Sequence, residues 1–347
     1  MAKEVRGPWV RRPIAVAGAT LGTLLAPVLT PISLLVALVV DVVTRAPRMR
    51  RTRVVAMISG LVIIDFAGMV RLTWMWLISP FGLRPNRPAA RARYRRGMRW
   101  WTNQVIRVIS LTAALPIDRT ELDDKLLAGN AIVVGRHRSL LDAVLPAVIF
   151  GNQGHEVLYV LKDDLQQDIN IDVIGGWMGH VFVNRSPKNL EEELEPIRAL
   201  GSRIDESSVG VIFPEGTFFN QKRKERAVSS LRRRNEAHAE IAEQLEYLLP
   251  PRPAGTLALL EGAPDADVII LGHVGFEPFG TIGEILRNLG AGHDVALRAW
   301  RFARAQVPTD PQEQIDWLFE RWVEMDRWIA SRHPLNGLPS TIGPPDH

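Results

Sequence analysis

A run of 27 residues from Ile14 to Val40 contains no charged side chain, longer than the roughly 20 residues a helix needs to cross a ~30 Å hydrocarbon core. This pattern predicts a membrane segment. Its middle holds Pro27 and Pro31 where a secretory signal would end in small residues at a cleavage site. Each proline lacks an N–H and disfavours helical geometry in its predecessor, so APVLTP is expected to divide the run into two half-helices of about 12 residues, as in a re-entrant hairpin. A second apolar stretch, Val54 to Val70 and on through LTWMWLISP, is interrupted by Asp65 and Arg71. Charge near the centre of a bilayer is costly, which favours an amphipathic, interfacial helix. Arg11 and Arg12, then Arg45 to Arg53, then Arg84 to Arg99 flank these blocks. Positive charge stays cytoplasmic, so a hairpin plus an interfacial helix is favoured over two crossings.

Beyond about residue 100 the period changes. The short apolar runs AIVVG, VLYVLK, HVFVNR, VGVIFPEG and DVIILGHVGFE alternate with longer amphipathic or charged segments. That alternation predicts an α/β fold, a mixed and largely parallel sheet flanked by helices. A charged helical region is expected over Gln221 to Leu249. In DWLFERWVEMDRWIAS, Leu318, Trp322, Met325 and Ile329 fall on one helical face. The expected divisions are a membrane segment at 1–53, an interfacial helix and basic linker at 54–100, the α/β domain at 101–300, and a C-terminal amphipathic helix with a loose tail at 301–347.

Composition narrows the function classes. With 46% hydrophobic and 23% charged residues in 347, the chain buries a full core and is no disordered tail. The 42 basic and 38 acidic residues give a net charge of only +4, but the basic side chains are gathered in runs. RPNRPAARARYRRGMRWW suits anionic headgroups, with Trp74, Trp76, Trp100 and Trp101 as interfacial anchors. A nucleic-acid-binding tail fits it less well, because it lies between apolar blocks. The absence of cysteine excludes thiol catalysis, disulfides and cysteine-type zinc sites.

The stretch AIVVGRHRSLLDAVLP, Ala131 to Pro146, sets His137 and Asp142 five apart, just after an apolar strand. Residues at the C-terminal edge of a parallel sheet face the crevice where α/β proteins bind ligands. Histidine titrates nearest neutral pH and suits a general base for a hydroxyl; an aspartate one turn on accepts its Nδ1 proton and fixes the tautomer. The plainer alternative is a surface histidine beside a helix-capping aspartate. No second ligand follows at metal spacing, so a metal site is not expected. Lys162 ends VLYVLK, Arg185 follows HVFV, and Pro214, Glu215, Gly216 and Thr217 end another strand. A base, two cations and a glycine turn are thereby expected along one sheet edge.

Taken in order, HRSLLD, GHVFVNR and FPEGT resemble the first three motifs of the glycerolipid acyltransferases typified by 1-acylglycerol-3-phosphate acyltransferase. FPEGTFFNQKRKERA, EYLLPPRPAGTLALLEG and WLFERWVEMDRW extend the likeness toward the lysophosphatidate and lysocardiolipin acyltransferase subgroup, over roughly Val54 to Ile329. The resemblance implies a glycerol-3-phosphate acyltransferase-like fold and acyl transfer from acyl-CoA, or acyl carrier protein, to a lysophospholipid hydroxyl. Acyl-CoA is then a co-substrate; no cofactor, metal or nucleic acid is expected, and membrane lipids are. The expected location is the cell membrane, with the catalytic domain on its cytoplasmic face. By the same resemblance His137 is the general base, Asp142 holds it, and Arg185, Lys162, Glu215, Gly216 and Thr217 serve the acceptor and its phosphate. Backbone N–H groups at the start of the helix after His137 are the candidates for stabilising the oxyanion.

This chain departs from the family pattern at three places. Arg136 stands where asparagine usually precedes the histidine, Phe218 where an arginine usually follows the third motif, and Gly272 and His273 interrupt the fourth, VIILGHVGF. Loss of a planar, bidentate cation weakens recognition of a bare phosphomonoester. An acyltransferase acting on a glycolipid or other polar lipid, and a catalytically inactive lipid-binding protein, are the alternative readings.

Overall fold

The protein is described by a computed structural model, covering residues 7–78, 88–139, 142–167, 169–184, 190–280, 282–290, 292 and 294–332. In chain order its elements begin with α1 Pro8–Val43, α2 Arg50–Ile78, α3 Pro88–Ala113, β1 Ile117–Glu121, β2 Ala131–Gly135 and α4 Leu145–Asn152. There follow β3 Glu156–Lys162, α5 Ile169–Met178, β4 Val181–Val183, α6 Leu190–Gly201, β5 Ser208–Ile212, α7 Gln221–Arg232 and α8 Glu236–Gln244. The last are α9 Pro253–Gly262, β6 Asp267–Val274, α10 Ile282–Asn288, β7 Val295–Phe302 and α11 Pro311–Arg332. The chain divides into two compact units, one of residues 1–115, 144–193 and 285–292, the other of 116–143, 194–284 and 293–347.

In the first unit α1 runs unbroken through Pro13, Pro27 and Pro31, which corrects the expectation of two half-helices. Pro27 and Pro31 are four apart, so their missing donors fall on one side of the helix, and both lie exposed. The hydrogen-bond ladder continues along the rest of the cylinder. Buried Asp41, near the end of α1, accepts the Thr52 N–H at 2.9 Å and its hydroxyl at 3.0 Å, pinning the start of α2. At the opposite end of α3, Arg53 Nη1 meets the carbonyls of Leu111 (3.2 Å) and Thr112 (3.0 Å), as suits a cation at a helix C-terminus.

Asp65, which breaks the apolar pattern of α2, accepts the Trp101 indole N–H from α3 at 3.1 Å. The Arg71 guanidinium lies 5.4 Å from the Trp100 ring centroid. Both charges that interrupt the stretch are therefore matched by tryptophans of α3. By length and composition, Leu24–Val43 and Pro47–Met75 suffice to cross a membrane. Along α1, Leu24, Leu25, Val28, Ile32, Leu35 and Val39 are exposed, compatible with association with a lipid phase. In the same unit β3 and β4 pair in parallel, with Lys162 opposite Val183.

The second unit holds a five-strand arrangement in the order β1-β7-β6-β2-β5. All neighbours are parallel except β6 with β7, in agreement with a mixed, mostly parallel sheet flanked by helices. Central β2, AIVVG, is buried at every position, as its unbroken apolar run requires when helices cover both faces. On α11 the predicted stripe of Leu318, Trp322, Met325 and Ile329 is buried. Two strands lay outside the expectation. Edge strand β1 is IDRTE, with its three middle residues exposed. β7, VALRAWRF, alternates buried and half-buried positions and carries two arginines, so neither shows a plain apolar run.

Candidate active site

Where β2 ends, Gly135 opens the way to the catalytic candidates. A Cβ there would stand 2.7 Å from Cε1 of Phe213, so only glycine lets that ring lie against the strand. Phe213 in turn flanks the His137 imidazole at 4.8 Å between centroids, and Phe218 flanks it at 4.5 Å. The two rings limit how far the imidazole can swing.

His137 Nδ1 lies 3.0 Å from Asp142 Oδ1, and the aspartate side chain is 1% exposed. Asp142 Oδ2 accepts the N–H groups of Arg138 at 2.5 Å and Ser139 at 2.6 Å. The N–H groups that directly follow His137 are therefore not available to an oxyanion. The helical segment after His137 begins with a single 3-10 turn at Asp142–Val144 and continues as α4 from Leu145. Burial alone would raise the Asp142 carboxyl. The charge and hydrogen bond of His137, with the His273 imidazole, outweigh it and hold the group below the usual carboxylate range. An ionised carboxylate only accepts, so a neutral imidazole at His137 carries its proton on Nδ1 and leaves Nε2 as the acceptor.

The FPEGT turn braces this pair. Gly216 has φ +66°, a left-handed conformation suited to glycine, and its N–H closes the turn on the Phe213 carbonyl at 3.1 Å. Glu215 is 2% exposed; Oε1 accepts the His137 N–H at 2.7 Å and Oε2 accepts the Leu249 N–H at 3.0 Å. Both oxygens thus serve the backbone. Burial pushes this carboxyl up to about 7, against those two bonds and the charges of Arg136 and His137, which lower it. Half-buried Thr217 makes no side-chain hydrogen bond among the described residues. Leu249 is anchored from α11: its carbonyl accepts the Trp322 indole N–H at 2.9 Å, while Asp326 accepts the N–H groups of Glu246 (2.9 Å) and Tyr247 (2.8 Å). The amphipathic C-terminal helix therefore supports the histidine through Leu249 and Glu215.

Arg136 is 1% exposed and reaches three groups: the His273 carbonyl at 2.5 Å, Glu277 Oε1 at 2.6 Å and the Tyr247 carbonyl at 3.3 Å. Burial would raise Glu277, but the Arg136 charge and His273 draw it down to about 2. Arg138 donates to the Phe219 carbonyl at 3.0 Å. Lys162, in the first unit, is paired with Asp164; Arg185 lies outside the described residues. Sequence reasoning marked Arg136 and His273 only as departures from a family pattern. It missed Leu249, Glu277 and Asp326, whose contacts join segments 34 to 141 residues apart.

Residues 116–253, about two fifths of the chain, match the family model described as Acyltransferase. The matched span contains His137, Asp142 and the FPEGT turn. Among solved structures, the 1-acyl-sn-glycerophosphate (LPA) acyltransferase PlsC from Thermotoga maritima is similar over 78% of this chain and 98% of its own, at 14% identity and a TM-score of 0.48. Among curated proteins no match to the chain is found.

Proposed function

We propose that this protein is a membrane-associated lipid O-acyltransferase that moves a fatty acyl group from acyl-CoA to the free hydroxyl of a lysophospholipid. One observation carries the reading: an ionised, buried Asp142 on His137 Nδ1, in the segment that matches the acyltransferase model. His137 Nε2 takes the hydroxyl proton as the acceptor oxygen attacks the thioester carbonyl. The tetrahedral intermediate collapses with C–S cleavage, and the imidazolium returns its proton to the departing thiolate. Ester and free CoA thiol leave, and the histidine is neutral again. Asp142 stabilises the imidazolium between the two steps. The exposed apolar surface of α1 holds the enzyme at the cell membrane, its catalytic region on the cytoplasmic face where acyl-CoA is found.

Phe218 favours a second reading of the acceptor. Its ring lies against His137 where the family usually has an arginine. Arg252 is a cation beside this turn, its guanidinium within 3.7 Å of where a Cβ on Gly216 would sit; its side chain is exposed and has no partner among the described residues, while Arg223 donates to the Phe218 carbonyl at 2.9 Å. A ring over the imidazole, with the cations displaced from it, suits a polar lipid whose phosphate is set back from the reacting hydroxyl, or a glycolipid. Incubation of the purified protein with labelled acyl-CoA and a panel of lysophosphatidate, other lysophospholipids and glycolipids tests both readings. Esterification of any lysophospholipid supports the first, and a preference for lysophosphatidate above every other acceptor removes the second. No product with any acceptor, from CoA and carrier-protein thioesters alike, overturns the assignment.

A further inference from the structure

Asp142 faces two imidazoles. Besides His137 on Oδ1, His273 brings Nε2 to 3.3 Å from Oδ2, the oxygen that already accepts two backbone N–H groups. His273 sits near the end of β6, 2% exposed, its ring edge-on to Phe276 at 5.2 Å. Its Nδ1 has no hydrogen-bond partner among the described residues, and its Nε2 faces Asp142 Oδ2. A buried nitrogen without a partner costs about 1–3 kcal/mol, so an aliphatic residue would serve a purely structural position better. The backbone holds the ring in place: Arg136 grips the His273 carbonyl, and Glu277, three residues beyond the end of β6, accepts from Arg136 and from the Gly275 N–H at 2.6 Å. The charged groups around the ring are thus Asp142, Arg136 and Glu277, with His137, Glu215 and Arg138 in the adjoining layer.

We infer that His273 is a positioning residue that acts through Asp142: its imidazole shares the carboxylate with His137, fixes the orientation of Oδ1, and sets how strongly the catalytic imidazole holds a proton. The sign follows from electrostatics. An N–H directed at Oδ2 withdraws charge from the carboxylate and makes it a weaker partner for the His137 imidazolium. Removing that N–H leaves more negative charge on Asp142, so His137 becomes more basic and remains protonated to higher pH. A base protonated at the working pH accepts no proton, and the acid limb of the rate profile moves upward. A protonated His273 would weaken the carboxylate's hold on the His137 imidazolium further, the opposite of removing the N–H.

This inference rests on the acyl-transfer reading only for its consequence in turnover, so its test has a readout independent of turnover. Histidine-15N-labelled full-length protein in detergent is titrated by NMR, the His137 signals being assigned by their loss in His137→Asn. His273→Gln carries an amide nitrogen close to the place of Nε2, whereas in His273→Asn the amide falls short of Asp142; both variants remain polar. The expected result is a His137 midpoint raised by about half a unit in His273→Asn and restored toward wild type in His273→Gln. The acid limb of kcat/KM should shift in parallel, with the rate on that limb lowered about threefold and acceptor KM unchanged. Equal His137 midpoints in wild type, His273→Asn and His273→Gln overturn the inference. If no acceptor is acylated by wild type, the acyl-transfer reading fails while the titration still decides the coupling.

Discussion

Among the described residues of the second unit, two histidines lie within 3.0 Å of an aspartate oxygen, and the shorter pair is not the catalytic candidate. His238 Nε2 lies 2.6 Å from Asp316 Oδ1, against 3.0 Å for His137 and Asp142. The carboxylates differ far more than the distances: Asp316 is 54% exposed, Asp142 1%. Water screens the charge of Asp316, whereas Asp142 acts through a poorly hydrated interior. The nitrogen engaged differs too. His137 is held by Nδ1 and presents the distal Nε2, while His238 spends Nε2 on its partner and lies flat on Phe319 at 4.4 Å. A carboxylate's burial and the ring atom it occupies, more than proximity, mark a general base.

The largest effect separates the pairs directly. His137→Ala should lower turnover by about 10³-fold or more, the range of a lost general base, whereas His238→Ala should leave it within about twofold. His238→Ala should instead lower the thermal midpoint by a few degrees, because a stacked ring joining α8 to α11 is lost. Rates of labelled-acyl transfer and unfolding curves on the same preparations check both expectations. Comparable activity in the two variants would break the comparison.

Asparagine at each carboxylate sharpens it further. At 142 the amide orientation is dictated, because two backbone N–H groups point at the position of Oδ2 and require an oxygen there. The amide nitrogen must then face His137 Nδ1, which turns acceptor and moves the ring proton to Nε2. The wrong tautomer cannot accept the hydroxyl proton, and a loss on the order of 10³-fold is expected with acceptor KM little changed. Asp316→Asn meets no such constraint at its exposed position and should retain full turnover. Wild-type activity in Asp142→Asn would show that the aspartate does not set the tautomer.

Much of this site was legible in the sequence because its parts are local. His137 and Asp142 lie five apart on one turn, and the FPEGT glycine signals a backbone that other residues resist. The buried strands β2, β5 and β6 announced themselves as unbroken apolar runs. What stayed hidden depends on long-range contacts or on compensation. β1 and β7 carry polar residues as edge or antiparallel strands do. The proline pair in α1 reads as a break, yet its cost falls on one exposed face. Arg136 reads only as a departure from a family pattern, and the fold shows it buried against a carboxylate 141 residues away.

The smallest expected effect concerns the carboxylate behind the candidate pair His137 and Asp142. Glu215→Gln keeps one accepting oxygen, but the amide nitrogen must then face either the His137 or the Leu249 N–H. Turnover should fall about tenfold, because the backbone of His137 loses part of its anchor, at a cost of about 1–3 kcal/mol in stability. The pH dependence gives the sharper reading. Glu215 titrates at about 7 in the fold against 4.5 for the free group. Between these values the folded chain retains a proton that the unfolded chain has released. The stability this supplies is complete below about pH 4.5 and lost as pH rises to about 7, amounting to about 3 kcal/mol at most. Glutamine does not titrate, so the wild type should exceed the variant most near pH 5, and the gap should narrow toward pH 8. Thermal unfolding in detergent across that range measures it. A constant gap would show that Glu215 is ionised throughout, with its two N–H bonds and Arg136 outweighing its burial.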